Sequence, residues 1–450
     1  MRTCARWSAT EVDRAAATVA NAATSRAAGR GAGWLQLSWP GLCGLAATLT
    51  GVGIGRFAYV AILPLLVQQQ WFDRTAAGSL GAANLTGYFA GIGVAALLAR
   101  HMGPGNMVRL AMLLVSLSFF ACGWRGGGIV WFLAWRAAAG ACGAILMVQA
   151  PVLILPAAAP ARRGRVGGLI FSGVGLGIVA AATVVPMLLA QGLAATWIVL
   201  GAICSIMTAA SWRFWGRAAT PAPAPARALS LPSLRMPAPV LLLLIAYTLN
   251  AIGYLPHTLF WADFIHSELH RPLAQAGFFW ACFGAGAACG PYLTGVAADR
   301  LGLGPTLLAG FSLKALGVAL PLFARGDLAL VLSSVLVGFF SPGIVGAASS
   351  YALELGGAAT HRRHWTAMNV GFSLAQAGGA SLMVALMAGR ASYAILFVIA
   401  SLSLLAASGC VGLIMLLRSK VECQPGIALK AEYETGPLRP SRQGETRPDR

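Results

Sequence analysis

Residues 276–304 read "AGFFWACFGAGAACGPYLTGVAADRLGLG", and residues 77–105 read "AGSLGAANLTGYFAGIGVAALLARHMGPG". The two stretches align without a gap when residues 276–304 are shifted back by 199 positions. In this register, Gly78, Gly91, Gly103 and Gly105 fall on Gly277, Gly290, Gly302 and Gly304. A repeat of this length, in a chain of long apolar runs, predicts two similar halves, each containing several helices in parallel order.

The composition is that of a protein that crosses a membrane many times. Of the 450 residues, 58% are hydrophobic and 10% are charged, and the mean hydropathy is +0.74. A water-soluble core cannot hold that much apolar surface. We therefore expect an all-α integral membrane protein.

The formal net charge of +19 does not indicate a nucleic-acid partner, because the basic residues lie between apolar runs instead of forming one patch. The nine cysteines include no Cys-x-x-Cys pair, so neither a disulfide framework nor a metal site is expected. The sequence contains no Walker A motif, no Gly-x-Ser-x-Gly elbow and no zinc-hydrolase signature. We therefore expect no enzymatic activity and no cofactor.

Twelve apolar stretches approach or exceed the roughly 20 residues that a membrane-spanning helix needs. They are 40–67, 78–99, 108–124, 129–156, 167–189, 194–211, 239–264, 276–298, 306–323, 328–353, 366–388 and 393–417. A basic stretch rich in proline and alanine, 212–238, predicts a linker between a six-helix bundle at 39–211 and a second at 239–417. The segments 1–38, which is basic, and 418–450 predict disordered tails.

The positions of lysine and arginine predict the orientation of the chain. Apart from the tails, twelve basic residues fall on the loops that share a side with the termini and the linker, and five fall on the opposite loops. Cytoplasmic loops carry the excess of positive charge. The sequence therefore predicts a multi-pass protein of a bacterial cytoplasmic membrane, with both termini in the cytoplasm.

Four motifs give the chain a family resemblance. "GVAADRLG" at 295–302 fits a G-x-x-x-D-R-x-G loop motif, and "WRAAAGACG" at 135–143 is similar to an R-x-x-x-G motif of the fourth helix. With these motifs the chain resembles the major facilitator superfamily of secondary transporters over 40–417. "GIGRFAYVAILPLL" at 53–66 and "FSGVGLGI" at 171–178 are similar to its YbfB-like branch.

The resemblance implies two pseudo-symmetric six-helix bundles that alternate access to a cavity lined by helices 1, 4, 7 and 10. It also implies a gating motif at Gly295, Asp299, Arg300 and Gly302, in which Asp299 would cap a neighbouring helix. The first-half copy of this motif has Arg100 where the acid should stand. We therefore expect asymmetric gating.

Two arginines lie within predicted membrane helices. Arg56 interrupts the apolar stretch 51–66, which contains no acid, and Arg136 lies in the fourth helix. A charge at bilayer depth costs roughly 2.5–3.5 kcal/mol on insertion scales, so such residues indicate function by default. We expect both guanidinium groups to bind substrate, and a structural role through helix carbonyls or snorkelling is the alternative.

Helix 7 carries polar and aromatic residues at spacings of three and four, which indicates one face turned to a cavity. Its members are Tyr247, Asn250, Tyr254, His257 and Trp261. Further candidates are Asn369, Ser373 and Gln376 on helix 11, and Asn84 and Tyr88 on helix 2, although polar residues also join helices to each other. "GIGRFAY" at 53–59 also aligns with "AIGYLPH" at 251–257 when the latter is shifted back by 198 positions. This alignment places Arg56 opposite Tyr254 and Tyr59 opposite His257, so Tyr59 is included among the binding candidates.

No acidic residue falls at mid-membrane, which leaves few groups for proton coupling. His257 is the first candidate because imidazole titrates near neutrality, and Asp263 further along the helix is the second. A role for His257 in hydrogen bonding to substrate is equally open. Lys314 lies on a helix that the resemblance makes peripheral, and we expect it to snorkel and to be structural.

These features predict a secondary transporter that moves a small organic solute. Because Arg56 and Arg136 are positively charged, we expect this solute to be an organic anion. The alternatives are a receptor or sensor on the same fold, or an exporter of hydrophobic or cationic compounds. The expected partners are the substrate, the lipid bilayer and a proton as coupling ion. We expect a monomer that binds no nucleic acid and no metal.

Overall fold

Twelve long helices and their short connections form the part of the chain that the structure, a computed structural model, describes: residues 38–99, 101–217, 236–388 and 392–422. No strand occurs within these residues. Helix α1 consists of Trp39–Thr48, a π-helical part Leu49–Phe57 and Ala58–Gln68. Helices α2 to α6 are Arg74–Leu98, Pro104–Cys122, Gly128–Ile154, Arg163–Ala182 with its continuation Val184–Leu189, and Leu193–Arg217.

The second six helices follow residues 218–235, which lie outside the described part. Helix α7 consists of Ala238–Gly253, the π-helical Pro256–Phe260, Trp261–Asp263 and the π-helical Phe264–Glu268. Helices α8 to α12 are Leu273–Leu301, Leu303–Phe323, Asp327–Gly356, Ala358–Ala388 and Tyr393–Glu422. All twelve predicted helices are therefore present.

Several helices are longer than their apolar stretches. Helix α11 begins at Ala358 rather than 366, and α6 runs to Arg217, into the stretch assigned to the linker. Helix α12 continues to Glu422, into the predicted tail, and its Arg418 pairs with Glu354 of α10. An apolar stretch ends where charged residues begin, whereas the main-chain hydrogen bonds of the helix continue beyond that point. Of the predicted tails and linker, residues 1–37, 218–235 and 423–450 lie outside the described part of the chain, as does Arg100.

Among the described residues, ten helices are long and apolar enough to cross a membrane by length and composition alone. Helices α2 and α8 occupy equivalent places in the two halves and are the helices of the quoted repeat. Each has five glycines, and small residues of this kind serve close packing between helices.

The repeat is visible in the packing of the helices. A Cβ atom added to Gly91 of α2 would lie 2.4 Å from the carbonyl oxygen of Ala141 on α4. A Cβ added to Gly290 of α8 would lie 2.0 Å from the carbonyl oxygen of Phe339 on α10. Equivalent glycines therefore let α2 touch the main chain of α4 in one half and α8 touch that of α10 in the other.

The two halves meet closely along α5 and α8, a contact that we call the α5–α8 seam. A Cβ on Gly168 would lie 2.1 Å from the carbonyl oxygen of Pro291, and one on Gly175 would lie 1.8 Å from that of Ala287. Only glycine permits this separation of the two main chains. The seam begins near the start of α5, at the membrane face where α12 ends, which we call the terminal face.

Helices α1 and α7 both lose regular α-helical geometry in mid-course. Helix α1 is π-helical over Leu49–Phe57, which includes Arg56. Helix α7 is interrupted after Gly253, and its next segment starts at Pro256, which has no main-chain N–H to donate. Wide helical turns occur often at functional sites. In this protein, they place Arg56 and Tyr254 at equivalent points of the two halves.

Candidate functional site

A central cavity lies between the two halves, where α1 and α7 are irregular. Its volume is about 90 Å³, measured as the space open to the centres of water molecules, and one water needs roughly 10–15 Å³ on this measure. The cavity therefore has room for several waters or a small solute. Seven of the predicted candidates line it: Arg56, Tyr88, Tyr247, Asn250, Tyr254, Asn369 and Gln376.

Tyr254 lies beside residues from both halves in this cavity. Its hydroxyl oxygen accepts a hydrogen bond of 2.5 Å from the side-chain amide of Gln376 on α11. The guanidinium group of Arg56 on α1 lies close to this hydroxyl. Arg56 is only half-buried, so its other donors face the cavity.

Lys314 provides a second cation in the cavity, contrary to the expected structural role. Its side chain is fully buried and its Nζ donates a 2.9 Å hydrogen bond to Oδ1 of Asn250. The same Nζ lies 5.2 Å from the centroid of the Tyr254 ring. Helix α9 packs against α10 and α12 as a peripheral helix, but the lysine stem is long enough to reach the cavity between them.

No carboxylate balances these two cations among the residues described as lining the cavity. Within the described residues, neither Arg56 nor Lys314 forms an ion pair with Asp or Glu. Asp263, the second coupling candidate, does not line the cavity and instead accepts hydrogen bonds from Ser267 and Tyr393 near the end of α7. The cavity is therefore electropositive.

Aromatic rings form much of the remaining lining. Tyr247 packs against Trp365, with ring centroids 5.3 Å apart, and against Phe372 at 5.1 Å. The fully buried Trp365 donates a hydrogen bond of 3.3 Å to the carbonyl oxygen of Met147 on α4. Asn369 donates to the carbonyl oxygen of Trp365 at 2.9 Å. Trp365 therefore joins α11 to α4 beside the lining residues Tyr247 and Met147.

Arg136 does not line the cavity, and the prediction that it does so is corrected. The residue is 2% exposed, its Nη1 donates a 3.0 Å hydrogen bond to the carbonyl oxygen of Gly55, and its guanidinium group lies 4.7 Å from the Tyr59 ring centroid. Asn84 donates to the carbonyl oxygen of Arg136 itself. These contacts hold Arg136 against the π-helical part of α1, where it satisfies a helix carbonyl.

Tyr59 and His257, which the repeat aligned, also lie outside the cavity lining. The Tyr59 hydroxyl donates a 2.5 Å hydrogen bond to the carbonyl oxygen of Ala77. His257 is fully buried, stacks on Trp261 at 4.2 Å and shares a 2.8 Å hydrogen bond with Ser333 of α10. The polar face of α7 divides at the break near Tyr254, because the wider turns beyond it rotate His257 away from the cavity.

The gating motif lies at the terminal end of the α5–α8 seam. Asp299 accepts hydrogen bonds from the main-chain amides of Gly164 (2.8 Å) and Arg165 (3.1 Å) and pairs with Nε of Arg165 at 3.1 Å. Gly295 packs against Gly164, Arg300 is exposed, and Gly302 takes a positive φ of 92° between α8 and α9. Asp299 thus caps α5 from the other half.

The family match decides the identity of the chain. A family model described as "Uncharacterised MFS-type transporter YbfB" matches residues 48–412. The chain belongs to this family of the major facilitator superfamily. The predicted family is confirmed, and the protein is a membrane transporter. None of the curated proteins compared with the chain matches its sequence.

Solved structures confirm the major facilitator fold of this transporter. Two are titled as a bacterial homologue of the iron transporter ferroportin, one in the outward-facing state and one in that state with soaked iron. Their TM-scores are 0.63 and 0.62 at 14% identity, and each comparison covers 84% of this chain and 100% of the other. At this identity, the likeness shows the fold alone.

Three polar residues of the transporter's cavity were missed from the sequence: Thr258, Lys314 and Ser341. Thr258 and Ser341 donate to carbonyl oxygens of their own helices, as many threonines and serines in membrane helices do. Lys314 had a signal, since a lysine far from both ends of an apolar helix is costly. That signal was overridden by the assumption that a peripheral helix cannot reach the cavity.

Proposed function

We propose that this protein is a secondary active transporter that moves a small organic anion across a bacterial cytoplasmic membrane by alternating access. The observation that carries the proposal is the electropositive cavity. Arg56 and Lys314 enter it from different halves, and no carboxylate is found among its described lining residues. Guanidinium and ammonium groups recognise carboxylate or phosphate.

The aromatic lining supports a solute with an apolar or ring portion. Tyr247, Tyr254 and Phe372 present ring surface beside the two cations. Binding sites for small organic molecules combine apolar walls with a few polar groups that fix orientation. The two cations in the described lining do not suit a metal ion such as the iron soaked into the ferroportin homologue, because metal cations are bound by ligands such as carboxylates or neutral imidazoles.

The closed terminal face supports alternating access. The terminal part of the α5–α8 seam, the Asp299 cap and the hydrogen bond of Trp365 join the two halves on the terminal side of the cavity. Breaking these contacts would open the cavity toward that face. By the distribution of basic residues, the terminal face is the cytoplasmic one, and a reporter enzyme fused to either terminus tests this assignment.

The function is tested with purified protein in proteoliposomes. We expect uptake of radiolabelled benzoate or succinate and no uptake of tetraethylammonium or glucose. Arg56→Gln should abolish the anion flux, whereas Arg213→Gln on the exposed part of α6 should preserve it. Tetraethylammonium flux exceeding that of both anions would favour a cation exporter. Anion binding without flux would favour a receptor.

A further inference from the structure

Two cations from opposite halves meet at one tyrosine ring in the cavity. Arg56 of α1 lies close to the hydroxyl end of Tyr254, and Nζ of Lys314 on α9 lies 5.2 Å from the centroid of the same ring. The two charges therefore lie at different parts of the Tyr254 side chain. Lys314 has a neutral partner in the protein, since it donates to the amide oxygen of Asn250.

This arrangement leaves two positive charges unbalanced in a region of low dielectric. Like charges in one cavity repel, and the repulsion is stronger between buried groups than in water. A neutral partner such as the Asn250 amide satisfies a hydrogen bond without cancelling charge. A ligand with one negative group would balance only one of the two cations.

We infer that the transported solute is an organic dianion, with one negative group bound by Arg56 and the other by Lys314 on either side of Tyr254. This inference rests on the proposed function and specifies its substrate class. The two negative groups are carboxylates or phosphates, and the short organic part between them packs on the aromatic rings. Because Arg56 and Lys314 belong to different halves, such a solute bridges the two bundles.

The test compares monoanions with dianions of matched skeleton by calorimetric titration of the purified protein. The pairs are butyrate with succinate and benzoate with isophthalate, at a pH where all four are fully ionised. We expect each dianion to bind about 10- to 100-fold more tightly than its partner, because it forms a second charge-assisted hydrogen bond.

Two variants assign the second anionic contact to Lys314. Lys314→Met should reduce dianion affinity to the level of the monoanion. Asn250→Asp keeps the size of the side chain and gives Lys314 a carboxylate partner within the protein, so it should have the same effect even if Lys314→Met fails to fold. Arg213→Met, at an exposed position of α6, should change neither the monoanion nor the dianion affinity.

The outcomes separate this inference from the proposed function. Equal affinity for the two members of each pair, or a dianion preference that survives in Asn250→Asp, overturns the dianion assignment and leaves an organic-anion transporter. If none of the four carboxylates binds, both proposals are wrong.

Discussion

Asp299 of α8 caps the first turn of α5 across the boundary between the two halves. Its carboxylate accepts hydrogen bonds from the main-chain amides of Gly164 (2.8 Å) and Arg165 (3.1 Å), which have no partner within their own helix turn. A carboxylate at a helix N-terminus is also stabilised by the helix dipole. The side chain of Asp299 is only 3% exposed, so solvent screens these interactions little.

Asp299→Asn should loosen the terminal face without unfolding the protein. Asparagine keeps the shape but loses the charge and one acceptor, a loss of about 1–2 kcal/mol. We expect hydrogen exchange at the amides of Gly164 and Arg165 to become about 10-fold faster, as measured by mass spectrometry. Glu354→Gln, which breaks a pair with Arg418 inside the second half, should leave this exchange unchanged.

Gly175→Ala should separate the two halves at the α5–α8 seam. The added Cβ would lie 1.8 Å from the carbonyl oxygen of Ala287, so the helices must move apart at a cost of about 1–3 kcal/mol. The melting temperature should fall. Gly409→Ala on α12, where no atom lies within 4 Å of the new Cβ, should keep or raise it because alanine favours helix. Equal melting temperatures for the two variants would contradict the seam.

Substitution by lysine should have different effects at Arg56 and at Arg136. Arg136→Lys keeps a buried charge but cannot reproduce the hydrogen bond to Gly55, so we expect about 1–3 kcal/mol of destabilisation and unchanged affinity for isophthalate. Arg56→Lys keeps a cation in the cavity but loses the guanidinium fork. It should weaken isophthalate binding without lowering the melting temperature. The reverse pattern would place the substrate at Arg136.

Tyr254→Phe should weaken anion binding while preserving the fold. The variant removes the hydroxyl that accepts a hydrogen bond from Gln376 and lies close to Arg56, but it keeps the ring beside Lys314. The cavity loses the polar group between Gln376 and Arg56, and we expect about a 10-fold loss of affinity for isophthalate by titration. Tyr59→Phe removes a buried hydroxyl away from the cavity, so it should lower thermal stability alone. Equal affinities for both variants would show that Tyr254 does not organise the site.

The fold was predictable because its signals are long and repeated. Twelve apolar runs and the register of 199 positions determine the helices, and the same register appears in the packing of Gly91 and Gly290. Helix ends were less predictable. Charged residues such as Arg362 and Arg363 end an apolar run without ending the helix that contains them.

The candidate site was predictable only in part, because helical periodicity assumes a regular helix. Residues before the break in α7, such as Tyr247 and Asn250, line the cavity as their spacing predicts. His257 lies after the break and is sealed against Ser333 and Trp261. Lys314 was misassigned because the reach of a side chain between neighbouring helices depends on packing, which spacing along one helix does not contain.

The α5–α8 seam also determines how the two halves can come back together. An interface of side chains can settle into several rotamer combinations, whereas the main-chain contacts at Gly168 and Gly175 offer no alternatives. A shift of one residue would bring a side chain against a carbonyl group. Each time the terminal face shuts, the helices must therefore return to a single register, and the dimensions of the cavity are reproduced from one cycle to the next.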